Sequence, residues 1–91
     1  MTAKSMIVSA INTKVGANHT VYRIGLSRTP ISRKEEWEAR GSVRYWAQWQ
    51  TDSLSDAKDI ESHFINDKKM KGGTGGDLSG SGSMYVYVFL P

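Results

Sequence analysis

Thr20-Val21-Tyr22-Arg23-Ile24-Gly25-Leu26 alternates between two chemistries. Successive side chains of a strand point to opposite faces, so Tyr22, Ile24 and Leu26 share one face and Val21, Arg23 and Gly25 the other. One face is apolar; the other carries a charge. Upstream, Met6-Ile7-Val8-Ser9-Ala10-Ile11 is a short run rich in β-branched side chains, separated from the first stretch by the turn-forming Gly16-Ala17-Asn18. Together the two runs predict a pair of strands joined by a hairpin-like loop.

Downstream, Thr29 places a hydroxyl in the capping position before Pro30, and Gly41 follows Arg40 as a terminator, which predicts a helix over 30–40. At about 100° per residue, Arg33, Trp37 and Arg40 form one cationic and aromatic stripe. Over 43–50, Val43, Tyr45, Ala47 and Trp49 alternate with Arg44, Trp46, Gln48 and Gln50, the period of a third strand. Ser53 stands three residues before Asp56, and Leu54, Ala57, Ile60, Phe64 and Ile65 recur at helical spacing, predicting a second helix over 54–70. Residues 72–83 are so rich in glycine and serine that a flexible loop is expected. Residues 84–90 are apolar at every position, as in a strand inside a sheet or at an interface; a homodimer through this segment is one alternative.

These elements predict a single small α+β domain over 1–91. Its antiparallel or mixed sheet would have about four strands, near Met6, Tyr22, Tyr45 and Tyr85, packed with two helices. Three Trp, four Tyr and two Phe supply large buried areas to a chain that is 38% hydrophobic. The absence of cysteine excludes disulfides, thiolate catalysis and Cys-built metal sites. His19 and His63 share no ligand-like spacing. No run approaches the roughly 20 apolar residues of a membrane span, and the first residues have no signal-peptide pattern, so a cytoplasmic protein without membrane association is expected. Twelve basic against nine acidic residues give a net charge of +3. That balance is compatible with phosphate-bearing partners.

Glu61 lies about 40° from Ala57 on the helical wheel, inside the core-facing arc. It is either a rim carboxylate paired with Arg23 or Arg33, or a ligand for a divalent cation. The stripe of Arg33, Trp37 and Arg40 is open to two readings as well: Trp37 packs inward under the arginines, or it stacks on a base while they grip phosphate. The glycines from Gly72 follow a helix and precede a strand, the reverse of a phosphate-binding loop, and Lys68, Lys69 and Lys71 before them suit a helix C-terminus. No serine has a nucleophile's context.

Tyr22-Arg23-Ile24-Gly25, with Arg33 eight residues beyond Gly25, then a strand, then a helix bearing Glu61, resembles the GIY-YIG nuclease module. In that family a β-hairpin bears two tyrosine motifs, one helix supplies an arginine for the scissile phosphate, and a later helix supplies a metal-binding glutamate. The resemblance implies a domain that binds nucleic acid, DNA or RNA, through Arg23, Arg33, Trp37 and Arg40 in a basic cleft. It further implies, as an alternative, a Mg²⁺-dependent endonuclease with Tyr22, Arg33 and Glu61 catalytic and Glu61 holding the metal. Arg23 stands where the family has its second tyrosine, and Trp37 where it often has His or Tyr. A non-enzymatic interaction domain is the remaining alternative.

Overall fold

Ile7, Ile11 and Val15 recur every four residues, and this spacing overrides the β-branched composition of residues 6–11. The computed structural model describes residues 3–72 and 82–91, and in it the expected first strand is a helix, α1, Lys4–Val15, with those three side chains buried. Strand preference is a weak local effect that tertiary packing readily overturns. Gly16, at φ 60°, ends α1 in the left-handed region, and its N–H donates to the Asn12 carbonyl. No hairpin forms here.

A single 3-10 turn, His19–Val21, leads into β1, Arg23–Ser27, so the strand begins three residues later than expected. Helix α2, Pro30–Arg40, has the predicted bounds. Thr29, however, does not cap it through its hydroxyl; its N–H donates to Ser27 Oγ at 2.9 Å. Strand β2, Arg44–Gln50, is followed by α3, Leu54–Asn66, whose first turn is capped by Ser53 Oγ accepting the Asp56 N–H at 3.0 Å. That helix stops short of residue 70 because Lys69, at φ 60°, turns the chain and buries Met70. Gly72, expected in the loop, belongs to β3, Lys71–Gly72; residues 73–81, where most of the expected loop lies, fall outside the described residues. The chain ends in β4, Tyr85–Leu90.

The mixed sheet has the order β2-β4-β1-β3. Strand β4 runs antiparallel to both β1 and β2, and β3 runs parallel to β1. On one face Ile24, Leu26, Val86 and Val88 meet Ile7, Ile11, Ala57, Ile60 and Phe64 of α1 and α3. The other face lies under α2. The apolar character of β4 is therefore accounted for within one chain, since both its edges are paired and residues 86–89 are buried without a second copy. Among the described residues no helix is long and apolar enough to cross a membrane.

His19 and His63, distant in sequence, meet across Phe64: one ring stacks on it at 5.9 Å and the other approaches edge-on at 5.0 Å. Burial, with Lys68 and His63 nearby, lowers the pKa of His19 from its ordinary 6.5. The unfolded chain thus takes up this proton more readily than the folded one. The stability conferred by neutral His19 should be intact above pH 6.5 and decline as the pH falls below it. Thermal midpoints measured across this range should drop on acidification, and His19→Gln should flatten the dependence.

Candidate functional site

The sheet face beneath α2 is aromatic where the opposite face is aliphatic. Cross-strand partners share a face, so Gly25 opposite Tyr87, Arg23 opposite Phe89 and Ser27 opposite Tyr85 all point toward α2. A register shift in β2 between Arg44 and Ala47, with Tyr45 at φ 56°, accompanies the placement of Trp46 over the same face. The Trp46 ring stacks on Tyr87 at 4.6 Å with the planes 10° apart, and on Phe89 at 5.5 Å. From above, Trp37 packs on Phe89 at 5.3 Å and donates its Nε1–H to Tyr87 Oη at 3.0 Å. Gly25 completes the seat, because a Cβ at that position would overlap the hydroxyl end of the Tyr87 ring. The phenol is fixed by packing on two sides and a hydrogen bond.

Arg33, Glu61 and Arg23 all act electrostatically on that hydroxyl. Burial pushes the Tyr87 phenol above its ordinary 10.0; the Trp37 hydrogen bond and Arg33 pull it down, Glu61 pushes it up, and Arg23 pulls it down. Because Trp37 donates to the oxygen, the phenolic proton is free to be donated elsewhere. Strand β3 pairs only with Arg23 and Ile24, which leaves the edge of β1 beside Gly25 without a further strand among the described residues.

Glu61 is half-buried, and burial raises its carboxyl above the ordinary 4.5. Neither expected ion pair forms. Arg33 bonds Glu36 at 2.9 Å, while Arg23 lies over the Trp37 ring at 4.8 Å. Arg40 also lies over Trp37, at 5.0 Å, so the inward-packed reading of the indole is the one observed. Tyr22 is 7% exposed and joins Ile24 and Leu26 in the aliphatic core, apart from the Tyr87 cluster. Tyr22 and the still more buried Tyr87, 4% exposed, thus face opposite sides of the sheet. Tyr87 itself is the residue sequence reasoning missed. Its signal was the alternation of Tyr85, Tyr87 and Phe89, which gains meaning only once β4 is known to pair with β1.

Among the described residues no three His, Asp or Glu side chains converge to hold a metal. An unpaired, half-buried carboxylate nonetheless suits Mg²⁺, which commonly takes one or two carboxylates and completes its shell with water and phosphate oxygens. A pocket of about 230 Å³ adjoins the cluster, lined in part by Arg23, Trp37, Arg40 and Lys71. A larger one, about 390 Å³, lies between α1 and α3, away from this chemistry, and Lys4 and Asp59 pair at its wall at 3.2 Å.

Gly25→Ala should force Tyr87 from its seat, destabilising the fold by about 1–3 kcal/mol and altering the near-ultraviolet circular dichroism of the tryptophans. Because its folded pKa is raised, ionised Glu61 opposes folding at neutral pH, and this penalty is relieved as pH falls through the folded value. Glu61→Gln should therefore raise the thermal midpoint at pH 7, and the gain should shrink toward pH 4.5. In comparisons with known proteins, no family model, curated protein or solved structure matches this chain.

Proposed function

We propose that the face beneath α2 binds nucleic acid through its phosphate backbone. The observation that carries this reading is the gathering of Arg23, Arg33 and Arg40 around Trp37 and Tyr87, with Arg23 and Arg40 in no ion pair among the described residues. Cations held against aromatic rings stay charged and positioned without an internal counter-ion. Phosphate is the anion that such a surface suits, by bidentate contact from guanidinium groups.

A second reading, phosphodiester cleavage, is favoured by the half-buried Glu61, which has no ion pair among the described residues. The GIY-YIG resemblance implies a β-hairpin bearing two tyrosine motifs, whereas residues 4–15 are helical here and the strand antiparallel to the Tyr22 segment comes from the far end of the chain. Here that partner strand is β4, and the tyrosine facing the cluster is Tyr87. In this reading Glu61 would hold Mg²⁺, which would supply Lewis-acid activation of the phosphate. Arg33 exchanges Glu36 for the phosphate and stabilises the charge that develops on it. Tyr87, with its oxygen accepting from Trp37, would direct its hydroxyl proton toward a phosphate oxygen.

The test is a gel assay with labelled single- and double-stranded DNA and RNA, with and without Mg²⁺. Arg33→Ala should weaken binding and reduce its salt dependence, since each lost phosphate contact removes released counterions. Glu61→Ala should leave binding intact or improve it while abolishing any Mg²⁺-dependent cleavage, and Tyr87→Phe should slow cleavage by about 10²-fold or more. Absence of both binding and cleavage at low salt sinks both readings.

A further inference from the structure

The pocket beside the Tyr87 cluster carries more positive charge than one backbone phosphate requires. Strand β3 runs parallel to β1 with Lys71 opposite Arg23, which sets two cations abreast at the sheet edge. The last turn of α2 brings in Arg40, and Ser42 adds a hydroxyl. No Asp, Glu or His side chain lines the pocket, although Pro91 does, its main-chain oxygen accepting from Arg44 Nη2 at 2.7 Å, and Arg23, Arg40 and Lys71 form no ion pair among the described residues. Trp37 and the buried Phe89 make an apolar wall, and charges beside such a wall are less screened than in water. Three like charges gathered without a counter-ion repel one another, and an anion relieves that repulsion.

Charge and size narrow the choice of anion. An internal phosphodiester brings one negative charge, whereas a terminal phosphate monoester brings about −1.5 to −2 and three strong acceptor oxygens. At about 230 Å³ the pocket admits a phosphate and part of its sugar, and it lies below the roughly 300–1,000 Å³ of sites that enclose drug-sized ligands. Guanidinium groups already lie over Trp37, which disfavours stacking a base there. We infer that Arg23, Arg40 and Lys71 form a subsite for the terminal phosphate monoester of a nucleic-acid strand, beside the Tyr87 cluster. The inference rests on the nucleic-acid reading above and adds recognition of a strand end to it.

The experiment uses the full chain and internally labelled DNA and RNA oligonucleotides without Mg²⁺. The strands carry a 5′-phosphate, a 3′-phosphate or hydroxyls at both ends, with a circular strand as the endless control. One phosphorylated end should bind at least about tenfold tighter than the hydroxyl-ended strand, the scale of a charge-assisted contact. Arg40→Ala and Lys71→Ala, both at exposed positions and checked for folding by circular dichroism, should remove that advantage. The advantage should also shrink on acidification through about pH 6, where the monoester regains its second proton, since no Asp, Glu or His side chain lines the pocket. Equal affinity for phosphorylated, hydroxyl-ended and circular strands overturns end recognition and leaves backbone binding standing. So does uniform weakening of all strands by the two substitutions. Failure of every strand to bind overturns both.

Discussion

Strand β4 has no polar face. Val86 and Val88 point one way, Tyr87 and Phe89 the other, and all four are buried. Moving such a strand out of water is worth about 1.5–3 kcal/mol per large side chain, a gain realised only if both faces are covered and both edges are hydrogen-bonded. The architecture meets these conditions. Strands β1 and β2 take the two edges, α1 and α3 cover the valines, and α2 with Trp46 covers the aromatic side. The candidate site is built on that aromatic cover.

The two covers differ because their chemistry differs. Aliphatic side chains pack well on a helix surface with no directional demand, so Ile24, Leu26, Val86 and Val88 are buried against α1 and α3. Tyr87 brings a hydroxyl into its layer, and a buried hydroxyl needs a partner, which the Trp37 indole supplies. Indole and phenol rings also present negative faces on which guanidinium groups can rest, and Arg23 and Arg40 do so. A cationic surface thereby arises where the aromatic layer meets solvent, with Arg23 and Arg40 in no ion pair among the described residues. The same layer that completes the fold gathers the charges on which the functional reading depends.

The elements with punctuation at both ends were legible from the sequence. Helix α2 lies between Pro30 and Gly41, and α3 begins at a serine cap. The residues of the last strand declared a buried position by being apolar throughout. Residues 6–11 misled because a six-residue window of mixed β-branched and small side chains suits either structure, and the deciding partner, Val15, lies beyond it. At the site, helical arithmetic identified Glu61 and the Arg33, Trp37 and Arg40 stripe as residues of interest. It had no access to which side chains would pair, so Arg33 with Glu36 and Arg23 with Trp37 went unforeseen. The motif around Tyr22 is local, whereas the face a tyrosine takes in this sheet is decided by strand pairing, which sets Tyr22 and Tyr87 on opposite sides.

The pairing of Gly25 with Tyr87 links these levels. Any side chain at position 25 would meet the phenol, so the glycine that the sequence offered as part of a strand motif acts by leaving room for a ring from the far end of the chain. That ring shields backbone that a strand glycine would otherwise leave bare, so the pair contributes to sheet stability. It also holds the Tyr87 hydroxyl where Arg23, Arg33 and Glu61 bear on it. A phenol free to rotate would sample many positions relative to those charges. One clamped by Trp46, Trp37 and the absence of a Cβ at Gly25 is held in place by the packing of the fold itself.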